Sequence, residues 1–496
     1  MSRINTNVPS LIAQRVLGNN NSSLNQALVR LSTGLRINSG RDDPAGLIAS
    51  ETLRSSIRAV GQAISNATRA DTIVTVAEGG LQEISSLLLD LEALVGQSSN
   101  EAGLTPDEVS ANQLQIDSIL ASINRISDST AFGNKKLLNG NLAFTTSGVN
   151  VNEATGAALN YLDKVTINAS KIPPGGFRQV TVKVVTRSQL AYISAVGAGT
   201  TGAGVRNGTI ARTTTVQVKG NLGSEIISFA SGTSTTDIAT RINQSKDLTG
   251  VSATASASGT GPKSLLLQST TYGLDAFVSV SVLENVSTAF TAQAADVTDF
   301  GVDGTVTING ANAIVDGLDA SVQAGSLALD LTLTPSFGGT TGSQTSFEIL
   351  GGGAIFQISP DLGLTGRETI GITELSTAKL GSKGTGFLTT LASGLGNDLQ
   401  SRKFSTAQRI VRESINQVAS LRGRLGAFQK DILESTINSL GVALENVTAA
   451  ESAIRDADFA VETASLTRAQ ILVNSATSVL QIANAQPQNA LALLGG

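Results

Sequence analysis

The chain has 496 residues, of which 41% are hydrophobic but only 3% aromatic, with 15% charged residues and a net charge of −5. These values allow a sizeable aliphatic core and show no basic stripe of the kind nucleic acid requires. The absence of both Cys and His excludes disulfides, thiolate and imidazole metal sites, HExxH zinc centres and His-dependent triads. No Asp/Glu pair stands out from ordinary surface charge, so no catalytic, cofactor or metal-binding residue is expected.

At the N-terminus, residues 1–21 contain no unbroken apolar run followed by a small-residue cleavage site. A cleaved signal peptide is therefore not expected. Leu24, Leu28, Leu31 and Leu35 step by four, three and four, which predicts a helical seam. Ser39-Gly40 is expected to break that helix. Asp43 then reads as an N-cap, with Pro44 at the first position of a new helix. Leu53, Ile57, Val60, Ile64 and Ala67 continue the helical spacing, as do Leu81, Ile84, Leu88, Leu91 and Val95 beyond Gly79-Gly80. Thr105 and Glu108 form the two ends of a capping box, opening a helix that carries Ile116, Leu120 and Ile123.

From about 146 to 384 the composition changes to Gly, Thr, Ser and Val. Short alternating runs such as Val180–Val185, Thr215–Val218 and Val306–Ile308 are separated by glycine turns and read as strands of sandwich- or roll-like modules. Two modules are expected, at about 166–290 and 291–364. One short helix interrupts them, capped at Ser234 and running through Ile238 to Asn243.

The helical spacing returns with Leu421, Leu425, Phe428 and Ile432, and then with Leu433, Ile437, Leu440, Leu444 and Val447. Residues 469–496 carry no charge at all. Amide and hydroxyl side chains interrupt them too often for a membrane span. A soluble helix without a charged face expects burial on most sides, and at a chain end other copies of the chain are the simplest source of it. The tails are expected to order only when neighbours cover them. Residues 1–50 carry a net +3 and residues 455–496 a net −1, so the two arms attract weakly.

Several blocks at both ends resemble bacterial flagellin. They are Ile4–Asn7, Leu31–Ser39, Asp42–Leu47 and Phe132–Gly140 at the start, and Glu445–Ser452, Ile454–Phe459 and Leu466–Leu472 at the end. The resemblance implies an α+β multidomain fold, in which a terminal α-helical coiled coil and a helical bundle are built from both chain ends around a central β-rich insertion. Its expected parts are an inner-tube helix at 1–45, bundle segments at 46–145 and 385–454, the variable β-rich region at 146–384 and a second inner-tube helix at 455–496. Leu24, Leu28, Leu31, Leu35, Leu466, Leu472, Val479, Leu480, Leu491 and Leu494 are the expected assembly residues. Arg41, Asp42, Asp43, Arg455, Asp456 and Asp458 are expected to act as spokes between inner and outer parts. Leu88, Asp90, Glu92 and Leu94 fall where many flagellins carry the helix read by a vertebrate innate-immune receptor. Asp90 and Glu92 stand where those flagellins place arginines, so weak recognition is expected.

The implied function is a structural, non-enzymatic subunit of an extracellular filament used for swimming. The implied partners are identical subunits, cap and hook-associated junction proteins, a cytoplasmic export chaperone on the C-terminal tail and the flagellar type III export apparatus. Two other readings stand beside it: a hook-filament junction protein, and an adhesin displayed through the β-rich region. A zinc protease carried on the filament is excluded by the missing histidines.

Overall fold

The computed structural model describes residues 6–100, 103, 105–149, 161–173, 175–196, 209–210, 213–255, 264–284 and 296–494. Ile4 and Asn5 of the first motif block lie outside these residues. The chain divides into two compact units. One holds residues 1–69, 357–362 and 431–496, and the other holds residues 70–356 and 363–430.

The first unit is helical and built from both chain ends. Its N-terminal helix, Val8–Thr33, starts on the Asn7 side chain, which accepts from the Ser10 amide. It stops at Gly34, whose left-handed backbone (φ 72°) lets its amide reach the Arg30 carbonyl. The stop therefore comes five residues before the expected Ser39-Gly40 break, because glycine at this C-terminal position closes the helix by itself. Pro44 opens the next helix as expected, with the Gly46 amide held by Asp43 Oδ1 at 2.9 Å. Gly46 must lack a side chain, since a Cβ there would meet the Asp43 carboxylate and Ile37 Cδ1 within 2.6 Å.

That helix runs unbroken from Pro44 to Ser98, through Gly79-Gly80, and the unit boundary falls inside it. In the second unit its residues Ala70, Val74, Ala77, Leu81, Ile84, Leu88, Leu91 and Val95 are all buried. They step alternately by four and three, which keeps them on one face. Gly80 allows close packing there: a Cβ would come within 2.9 Å of both Thr130 and Leu138. The helix Pro106–Ser129 begins on the complete Thr105/Glu108 capping box. Its buried Gln113 donates to the Leu391 carbonyl and accepts from the Leu399 amide, at 2.9 Å each.

Near the C-terminus, Phe404–Ala427 is α-helical, Phe428–Glu434 is π-helical and Ser435–Arg455 is α-helical again. The wider π-turn shifts the buried line. Leu421, Leu425 and Phe428 are followed by Leu433 and not by the expected Ile432, a step of five. Beyond it, no residue of Ser435–Arg455 is fully buried within the chain.

The β-rich region holds two cores, nested and not in tandem. Phe144–Ser147, Leu162–Ser170, Arg178–Thr186 and the strands between Thr305 and Gly352 form a five-stranded and a four-stranded antiparallel sheet, enclosing Val180, Val182, Leu329, Leu331 and Phe347. A second module is inserted between Thr186 and Thr305. Its four-stranded and three-stranded sheets, with the helix Thr235–Gln244, enclose Val216, Val218, Ile238, Ile242, Leu265 and Val280. Residues 304–334, which read in the sequence as part of a separate downstream module, close the first sandwich instead. Register pairing of Thr305 with Thr186 and of Leu331 with Val165 fixes them there.

Candidate assembly site

In the first unit the N-terminal helix lies antiparallel to the C-terminal helix, Phe459–Leu494. The polar contacts between them fall in step. Asn7 Nδ2 donates to the Ala483 carbonyl at 2.8 Å, Asn20 Nδ2 to the Leu472 carbonyl at 3.2 Å, and Arg30 Nη1 to Glu462 Oε1 at 3.1 Å. Ser10 Oγ adds a 2.7 Å bond to Asn484. From Asn20 to Arg30 one helix rises ten residues while the other falls ten from Leu472 to Glu462, and from Asn7 to Asn20 a rise of 13 meets a fall of 11. The Arg30–Glu462 pair is the strongest of these contacts, since both side chains are largely covered.

The packed seam is made of small residues. Ala13 and Ala27 are buried on one helix, and Ala469, Ala476 and Ala483 at seven-residue spacing on the other, with Glu462 one heptad earlier. The leucines read as the seam stand elsewhere. Leu28 is 45% exposed, Leu472 46% and Val479 55%, while Leu24, Leu31, Leu35, Leu466 and Leu480 are half-buried. The side chains of Leu491 and Leu494 lie outside the described residues. Alanines let two helices approach closely, and the large aliphatic side chains are then turned away from the contact. Val8, Leu11, Ile12, Ile471, Val479 and Ile482 are each at least 49% exposed. An apolar cleft of about 530 Å³ opens between the helices, walled by Val8, Ile12, Val16, Leu472 and Val479. Val8, Ile12, Val16, Leu472 and Val479 thus share one apolar surface at this cleft.

The spoke residues fold into one crossover. Its core is backbone pairing, which no side-chain pattern announces. Leu35 bridges Asp456 in antiparallel fashion, the Arg36 amide donates to the Arg455 carbonyl at 2.7 Å, and the Ala457 amide donates to the Gly34 carbonyl at 2.9 Å. Arg36 Nη2 also reaches the Ile454 carbonyl at 2.6 Å. Arg455 pairs with Glu51 at 3.3 Å and Glu451 at 3.9 Å. Asp42 accepts from the Ser39 amide and hydroxyl and from the Asn38 amide, and these bonds hold its carboxyl below the ordinary aspartate range. Asp43 caps the helix from Pro44, and Asp458 accepts from the Ala460 amide at the start of the C-terminal helix. Arg41 is exposed. These acids thus act as caps and turn formers, and Arg455 supplies the ionic contact.

The receptor-helix residues lie in the second unit and do not share one surface. Leu88 is fully buried and Leu94 half-buried, Asp90 is exposed, and Glu92 pairs with Arg412 at 2.8 Å. The sequence pattern could have separated them, since Leu88 belongs to the same four-three line as Leu81, Ile84 and Leu91.

Among the described residues no group of His, Cys, Asp and Glu could hold a metal, and no helix is long and apolar enough to cross a membrane.

Three family models match the chain: the bacterial flagellin N-terminal helical region over residues 4–143, the bacterial flagellin C-terminal helical region over 409–494, and the flagellin hook IN motif over 215–271. The flagellin of Salmonella rubislaw and the B-type flagellin of Pseudomonas aeruginosa are each 29% identical, with 99% of this chain and 99% of the relative covered. Flagellin E of Vibrio cholerae is 35% identical over 39% of this chain and 53% of its own length. Among solved structures, hook-associated protein-3 of Legionella pneumophila is 12% identical and covers 85% of this chain and 99% of its own, at a TM-score of 0.24. The three-domain fragment of the Escherichia coli flagellar cap protein is 16% identical and covers 49% and 64%, at a TM-score of 0.27. Superpositions this loose carry no structural argument, whereas the sequence matches span both helical ends in order. The chain belongs to the bacterial flagellin family and is a structural subunit of the flagellar filament.

Proposed function

We propose that the aliphatic face of the paired terminal helices is the surface through which subunits hold one another in the filament. The observation that carries this reading is the alanine seam. Because Ala13, Ala27, Ala469, Ala476 and Ala483 occupy the contact between the helices, Val8, Leu11, Ile12, Leu28, Ile471, Leu472, Val479 and Ile482 stay largely exposed among the described residues. Covering one such side chain gains about 1.5–3 kcal/mol, against about 0–1 kcal/mol for an exposed ion pair. Apolar burial by neighbouring copies therefore dominates the contact. Repetition of a head-to-tail contact that does not close on itself gives an open helical tube.

The same exposed surface supports the remaining partners. A sticky C-terminal helix calls for a cytoplasmic chaperone before export, and a chain without Cys passes unfolded through a narrow channel without wrong cross-links. Export by the flagellar type III apparatus, and end contacts with cap and hook-associated junction proteins, complete the reading. The subunit works outside the cell and catalyses nothing: it supplies stiffness and shape to a tube turned from its base.

Electron microscopy of full-length protein and of a variant lacking 459–496 tests the proposal. Full-length protein should form tubes on seeding, and the variant should stay monomeric while keeping the strand signature of its β-rich region. Tubes from the truncated chain would refute it.

A further inference from the structure

A second cleft lies entirely within the second unit. It encloses about 440 Å³, within the range of small-molecule sites. Its walls come from three segments: the loop after Leu162–Ser170, the end of Gln344–Gly352 with Ile355, and the stretch from Leu364 to Thr369. Phe177 and Ile355 are each 58% exposed, and Leu350 and Leu364 also show apolar surface at the cleft.

Two cations line these apolar walls, and they differ. Lys171 is paired with Glu368 at 2.7 Å. Arg367 is half-buried, and among the described residues its guanidinium has no carboxylate or other hydrogen-bond partner. A guanidinium that lines a cleft with apolar walls and has no carboxylate partner of its own can take one from a ligand, and its planar fork matches a carboxylate best. An exposed phenyl ring at the same cleft suits the flat apolar face of a ring.

We propose that this cleft binds a small carboxylate carried on a ring, with Arg367 holding the carboxylate and Phe177 stacking on the ring. The ligand can come from an aromatic acid or from a sugar acid, and the chemistry read by the cleft is common to both. The filament would then display one such site per subunit, independent of its assembly surface.

Ligand-observed NMR on the soluble full-length chain tests this with four probes: phenylacetate, glucuronate, and their neutral counterparts benzyl alcohol and glucose. Binding of at least one acid, about tenfold or more tighter than its neutral counterpart, is expected, and which acid binds names the source. Arg367→Gln should remove the preference for the acid. Phe177→Ala, which alters an exposed side chain and spares the fold, should weaken the acid while keeping that preference. Circular dichroism confirms that each variant is folded. The proposal is overturned if neither acid binds, if the neutral probes bind as tightly, if Arg367→Gln leaves affinity unchanged, or if binding vanishes in polymerised filaments. The last result would make the cleft part of a subunit contact.

Discussion

The terminal helix pair and the β-rich region solve burial in opposite ways. Each β core closes on itself. Phe347, Val180, Leu329 and Leu331 are covered by two sheets of the same chain, and the inserted module repeats this around Val216, Ile238 and Val280. The helix pair buries mainly alanines at its contact and leaves many of its large aliphatic side chains, Leu11, Ile471 and Ile482 among them, to solvent. A region that completes its own core can vary in what it displays. A region that cannot is committed to copies of itself.

Three experiments test that contrast. The largest effect is expected at Phe347, 2% exposed in the first sandwich. Phe347→Ala should cost about 3–5 kcal/mol of the second unit's stability in chemical unfolding. Tube formation at low temperature should survive, because the helix pair does not depend on that core; loss of tubes would show that the two regions are not separable.

Next comes the seam. Ala476→Leu places a large side chain where only a methyl fits, at a cost of about 1–3 kcal/mol, and should raise the critical concentration for polymerisation about tenfold, since 1.4 kcal/mol is a factor of ten. The melting of the β-rich region should stay put. A variant that polymerises normally would show that the alanine contact does not set the helix spacing.

The smallest effect is in pH, and its sign differs between the regions. At the crossover, the Ser39 amide and hydroxyl hold Asp42 below its ordinary value. That contribution is present above about pH 4 and is lost as pH falls through the folded value. Asp319 in the first sandwich is raised. Its residue surface meets water, but the protein around the carboxyl disfavours the charge, and Glu413 and Asp316 add to this against Thr332 and Lys164. Its contribution is present in acid and is lost as pH rises through the raised value. Asp42→Asn should therefore flatten the acid side of the stability profile, and Asp319→Asn should remove a loss between acid and neutral pH. The same slope from both variants in thermal melts would contradict this pairing.

The parts with local causes are legible in the order of residues alone. The helix starts at Pro44, Pro106 and Thr235 were legible because each cap lies within three residues of the amide it satisfies. The strands at Val180, Thr215 and Val306 were legible because alternation is a property of consecutive residues. The motif blocks at the two ends named the family.

Tertiary structure alone decided the rest. The nesting of one β module inside the other depends on pairings across more than a hundred residues, such as Thr305 with Thr186. The phase after Phe428 depends on a single π-turn, which carries no signature in hydrophobic spacing. The seam of the assembly helices escaped because spacing arguments weigh large side chains. Leu24, Leu28 and Leu31 drew attention, while the contact between two close helices favours the smallest side chain present. In our reading Leu28, Leu472 and Val479 still serve assembly, but through the surface they expose and not through the contact between the two helices.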